Sequence, residues 1–202
     1  DYTVRSHSNI SIHNNVIVNS GYRAINFETE DGQATDVIDM FHNTIYNSNP
    51  TAQLVNIGRG ASRRIHSNIF VGNCSTAQYR FVYTPNDLVE SDYNQFGPSV
   101  RISKDTTYST LSSWKTSGAL YNGANPDTHS LASYPRFVNV SGQMNQLQDF
   151  QLRSDSPCKG AGKNGADMGA NISLVGSGNE TSEFDRTPPA EPTGINVQTQ
   201  IQ

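Results

Sequence analysis

Apolar residues in this chain come in short alternating runs and not at helical spacing. One arrangement recurs. "NVIVN", "NTIYN" and "NIFVGN" begin at Asn15, Asn43 and Asn68, and a weaker copy, "DYNQF", puts Asn94 in the same role. Ile12, Met40 and Ile65 stand three residues before these asparagines, and Ile17, Ile45 and Phe70 stand two after them. A further apolar run accompanies each copy: "YRAINF", "QLVNI" and "RFVY". Each period therefore predicts three short strands and three turns, with no stretch long enough for a helix. A period of 25–28 residues is the mark of a repeat architecture.

Strands repeated at this interval stack when each pass of the chain lies about 4.8 Å above the last. Like residues then lie on like residues. The asparagine falls at the tight corner between two strands, where its amide can bond the asparagine of the next pass and the turn backbone. Asn15, Asn43 and Asn68 are thus expected to form a structural ladder. Arg63 breaks the pattern, because it takes a place held by Ile10 and Ile38 in the earlier copies. Such a departure marks a candidate functional position or a local distortion.

Beyond the repeats come "SDYNQF" (91–96), "TYSTLSSWKTSG" (107–118), "DTHSLASYPRFVN" (127–139), "DFQLRSDSPCKGAG" (149–162) and "ADMGA" (166–170). In this order they resemble the closing region of secreted bacterial β-helix proteins. The repeats resemble the coils of the right-handed parallel β-helices of the pectate-lyase-like superfamily. The likeness covers roughly residues 9–170. It implies an all-β fold of about four coils with three strands each, an irregular closing region and an extracellular location. It implies no single activity, since that superfamily holds lyases, hydrolases and non-catalytic surface proteins. The expected division is a β-helix with closing region over 1–172 and an extended tail over 173–202, with "TPPAEPTG" (187–194) as a Pro-rich linker. "DYTVRS" (1–6) sits where "YRAINF" sits one period later. Further N-terminal coils, or another chain covering that end, are the expected partner there.

Composition narrows the function classes. Charged residues make up 16% of the chain and the net charge is -4, so the polarity comes from amides, hydroxyls and glycine. No basic block points to nucleic acid. No apolar run reaches the roughly 20 residues needed to span a bilayer. Cys74 and Cys158 lack metal-site spacing and are either one disulfide or two separate buried thiols.

The resemblance places saccharide on an outward sheet face. In the expected register Ile25 and Phe27 point inward with Val55 and Ile57, which leaves Arg23, Asn26 and Asn56 near the outer face. Asn26, Asn56 and Tyr83 are candidate substrate contacts, and Tyr22, Tyr79 and Trp114 are further aromatics, although Trp114 suits packing. The turn "ETEDGQATD" (28–36) is acidic. Glu28, Glu30 and Asp31 could hold a calcium ion, which takes oxygen ligands, or form a solvated turn. A β-eliminating lyase needs its substrate carboxylate neutralised and a base near the proton removed. Arg23, Glu28, Arg59 and Arg63 are the candidates for those roles. The alternative for Arg5 and Glu28 is an ordinary cross-strand ion pair. None of the five histidines fits a metal motif, and nucleophile-elbow, P-loop and dinucleotide motifs are absent. The leading expectation is a protein that binds or degrades acidic polysaccharide. The alternative is a non-catalytic adhesin or fibre-forming module that stacks on another chain.

Overall fold

The computed structural model describes residues 10–27, 37–57, 62–81, 88–104, 106–139, 144 and 146–175. The strands in chain order are β1 (Ile10–His13), β2 (Val16–Val18), β3 (Ile25–Phe27), β4 (Val37–Phe41), β5 (Thr44–Ile57), β6 (Ser62–His66), β7 (Ile69–Phe81), β8 (Leu88–Asp92), β9 (Gln95–Phe96), β10 (Ile102–Ser103), β11 (Thr107–Tyr108) and β12 (Leu131–Ala132). A short helix, α1 (Leu111–Lys115), follows β11.

The fold is all-β and built from parallel sheets. One sheet orders its strands β1-β4-β6-β8. Ile12, Met40, Ile65 and Ser91 lie in one register column, and His13, Phe41, His66 and Asp92 in another. The second sheet stacks Ile17, Ile45, Phe70 and Phe96 in the same way. Each period of sequence therefore adds one rung to both sheets. The inward columns form the main core: Met40, Ile45, Ile65, Phe70 and Phe96 have no exposed surface. Tyr79 adds a ring stacked 5.3 Å from Phe70, and Phe70 stacks 5.7 Å from Phe96.

The expected asparagine ladder is present. Asn15 Nδ2 donates to Asn43 Oδ1 at 2.9 Å, Asn43 Nδ2 to Asn68 Oδ1 at 2.9 Å, and Asn68 Nδ2 to Asn94 Oδ1 at 3.1 Å. The backbone N–H of each asparagine donates to the same oxygen, at 3.0–3.1 Å. The residue before each one has a left-handed backbone: Asn14 (φ 55°), His42 (51°), Ser67 (57°) and Tyr93 (55°). That conformation reverses the chain sharply and costs a non-glycine residue on the order of 1–2 kcal/mol. The asparagine bonds offset this by satisfying buried backbone groups at the corner.

The ladder ends on a carboxylate. Asn94 Nδ2 donates to Asp127 Oδ1 at 3.0 Å. The hydroxyls of Ser91 and Ser130 donate to Asp127 at 2.5 Å each, and Trp114 Nε1 donates at 2.6 Å. Asp127 is fully buried, and burial pushes its carboxyl above the usual range against the pull of these four donors. Trp114 is buried as well, in the packing role expected of it. His129 closes the same end from outside. Its ring stacks 4.7 Å from Tyr93, and its Nδ1 lies 2.7 Å from Asp92 Oδ2.

The closing segment lies along the corners. Lys163 N donates to Ser67 Oγ (2.9 Å), Ala170 N to Thr44 Oγ1 (3.0 Å) and Asn171 N to Asn14 Oδ1 (2.6 Å). It runs back from the third rung to the first and ties the rungs together lengthwise. Under it Ile69, Phe137, Phe150 and Met168 form a second buried cluster. Gly169 (φ 83°) fits only because it lacks a side chain, since a Cβ there would lie 2.6 Å from Ile69 Cδ1.

One expectation changes. The strand after each corner does not always end in a turn. β5 and β7 continue as single strands of 14 and 13 residues, and register shifts between Asn47 and Gln53 take up the bend. Of the two alternatives for the cysteines, the structure has the separate free thiols, with Cys158 buried and Cys74 half-buried. Burial pushes Cys74 up to about 11 and Cys158 up to about 12. Residues 1–9, the acidic turn and the Pro-rich linker lie outside the described residues.

Asp127→Ala strands several buried donors and is expected to cost about 2–4 kcal/mol in urea unfolding. Gly169→Ala, which meets both a left-handed φ and a steric clash, is expected to cost a similar amount, about 2–4 kcal/mol. A loss below 0.5 kcal/mol for either variant, as an order of magnitude, would contradict these contacts.

Candidate functional site

Hydrogen bonds join three of the residues that were expected near the outer face. Arg23 precedes β3, and its Nε donates to Gln53 Oε1 on β5 at 2.9 Å. Its Nη1 donates to Asn26 Oδ1 at 2.8 Å, and the guanidinium lies 4.6 Å from the centre of the Tyr22 ring. Asn56 Nδ2 donates to the same Asn26 oxygen at 2.9 Å. Asn26, Asn56 and Arg80 follow one another in register.

Burial corrects part of that reading. Asn56 has no exposed surface, so it holds Asn26 in place and does not meet a ligand. Arg63 is 1% exposed, in register with Ile38 and Leu88 on the other sheet. It faces inward where the apolar residues face inward, and so it cannot neutralise a substrate charge beside Arg23. Tyr79 and Trp114 are likewise buried and offer no surface to a sugar. Glu28, Glu30, Asp31, Arg59 and Tyr83, and with them the calcium turn, lie outside the described residues. Among the described residues no cluster of three His, Cys, Asp or Glu side chains could hold a metal ion.

A second site was not anticipated. A cleft of ≈ 600 Å³ lies between the corners of the first two rungs and the closing segment, with His42, Asn14, Gln151, Lys159, Asp167 and Asn171 on its walls. It follows from what the corner residues do. Asn14 and Ser67 accept backbone N–H groups of the closing segment, and Tyr93 stacks on His129. His42 occupies the same left-handed position, yet its ring makes no hydrogen bond among the described residues. It stands edge-on to Phe41 (5.8 Å) and to His66 (6.3 Å). Phe41 in turn stacks between His13 (5.0 Å) and His66 (5.4 Å).

The cleft holds a fixed carboxylate. Asp167 Oδ1 accepts from Gly160 N at 2.8 Å, and Oδ2 accepts from Lys159 Nζ at 3.0 Å. Burial alone would raise its carboxyl, but these two donors, with the nearby positive charge of Lys159 and the imidazole of His42, hold it below the usual range. His66, deeper in the ring column, is lowered mainly by burial, and its Nδ1 lies 3.2 Å from Ser67 Oγ. A carboxylate, an imidazole without a hydrogen bond among the described residues and several amides together present acceptors and donors in one space. That set suits hydroxyl groups. The clue in the sequence was "FHN" standing where the other rungs carry "HNN", "HSN" and "DYN".

Lys159→Ala removes one of the groups that lower Asp167, so its carboxyl is expected to titrate higher than in the parent, as followed by carboxyl carbon NMR. Because the folded value is depressed, the stability Asp167 contributes is present above its unfolded pKa and fades as pH falls through the folded one. In Lys159→Ala that contribution is smaller, and its loss is complete at a higher pH than in the parent. An unchanged titration would contradict the contact.

No protein-family model, no curated protein and no solved structure matches this chain.

Proposed function

We propose that the stacked rungs form a right-handed parallel β-helix of the pectate-lyase-like kind, and that the protein is an extracellular module that binds polysaccharide. The observation that supports this reading is the cleft that His42, Asp167 and several amide side chains line together. A saccharide offers many hydroxyls that both donate and accept, and this lining answers both. The outer face with Arg23 and Asn26 gives the chain a second polar surface. Acidic polysaccharide remains the substrate class of choice, with degradation by β-elimination ahead of hydrolysis.

The structural alternative has one observation in its favour. Asn15 Oδ1 accepts no hydrogen bond among the described residues, whereas the matching oxygens of Asn43, Asn68 and Asn94 each accept two or take part in the next contact down the ladder. A rung from further coils or from another chain would fill that place. Among the described residues the opposite end of the ladder offers no such donor, since Asn94 already donates to Asp127. On this reading the ladder does not pass from one copy to the next, and sedimentation velocity should show no growth in size with concentration.

Affinity electrophoresis in gels cast with pectate or alginate tests the leading reading. The parent chain should be retarded, and His42→Ala and Asp167→Asn should weaken retardation about fivefold or more. Absorbance of unsaturated uronate, with and without added calcium, reports elimination. Unretarded migration in every gel would remove the proposal.

A further inference from the structure

A second cleft, of ≈ 520 Å³, has Arg153 in its lining, next in the chain to Leu152, which lines the first. Its origin can be read from register. Val18, Tyr46 and Val71 form an outward column on the second sheet. Gly97 follows Phe96, which pairs with Phe70, and so falls in the same column one rung on. The missing side chain leaves a hollow with backbone as its floor. Its walls are apolar and include Val71, Pro98, Tyr134, Phe137 and Met144. Tyr134 is 67% exposed, although it borders this hollow.

The rim is charged. Arg136 Nη1 lies 3.2 Å from Asp155 Oδ2, and Arg153 Nε lies 3.0 Å from Asp155 Oδ1. Two guanidiniums thus share one carboxylate and leave one positive charge at the mouth. Each keeps N–H groups beyond those bonded to Asp155. The guanidinium fork matches a second carboxylate in shape.

We propose that this cleft binds a small aromatic monocarboxylate. Its ring lies in the slot between Tyr134 and the backbone at Gly97, and its carboxylate meets Arg136 and Arg153. The volume fits a ligand of that size. The exposed phenol and the bare glycine offer a flat apolar slot, where an offset-stacked ring gains most. A neutral sugar would leave the rim charge unanswered. This site shares no side chain with the His42 cleft and does not depend on the polysaccharide reading.

The test uses 4-hydroxycinnamate and its methyl ester with the full chain, measured by equilibrium dialysis. The acid should bind saturably and at least tenfold more tightly than the ester. Arg136→Gln with Arg153→Gln should erase that difference. Gly97→Val should lower affinity for both at least tenfold. Its Cβ would sit 3.7 Å from Val71 Cα, in ordinary contact, so the fold should accept it. Circular dichroism checks this, and Tyr134→Ala, at the surface, serves if it fails. Asp167→Asn should leave the acid's binding unchanged, which separates this outcome from that of the polysaccharide test. Equal affinity for acid and ester, no saturable binding, or full binding by Gly97→Val would overturn the proposal.

Discussion

The structure depends on one repeated hydrogen bond. At each corner an asparagine donates its side-chain N–H and its backbone N–H to the side-chain oxygen of the asparagine one rung on. The corner needs a left-handed residue and exposes backbone groups that no strand partner can reach. The amide is suited to this because it carries both donor and acceptor, so identical residues can be chained. A chain of identical donors must still end somewhere. Here it ends on Asp127, an acceptor only, with two hydroxyls and an indole N–H filling its remaining capacity.

The rest of the architecture follows from that column. Fixed corners put like residues in register, which stacks the apolar columns into a core and the outward residues into surfaces. The closing segment takes its hold from the same corners, through Asn14, Thr44 and Ser67. Both clefts arise where a column departs from its rule. One appears where His42 replaces a residue that grips the closing segment, the other where Gly97 replaces a side chain. Function is sought at such departures because nothing in the packing requires them.

Much of this was legible in the sequence. The asparagine positions, the apolar offsets around them and the intruding Arg63 could be read directly, because a repeat displays its exceptions. The contact of Arg23 with Asn26 was not legible, because Arg23 stands before β3 and residues three apart alternate to opposite faces of a strand. Exposure was less legible. Asn56 alternates outward yet is fully buried, since alternation gives direction and not what covers a face. The continuity of β5 and β7 was hidden because bulges leave no mark in a pattern of period two. The partners of the repeats were hidden too. Asp127, Lys159 and Asp167 lie tens of residues from the corners they serve, and no local pattern ties them to Asn94 or His42.

A double-mutant cycle on adjacent rungs bears most directly on this account. Asn43→Ala, Asn68→Ala and the double variant would be unfolded in urea, with Asn15→Ala as the exposed end of the ladder. The ladder predicts a coupling between positions 43 and 68 of about 1–3 kcal/mol, beyond the sum of the single losses, and a smaller single loss at position 15. Losses that add to within about 0.5 kcal/mol would mean that the amides do not act through one another, and the ladder would not be what sets the register.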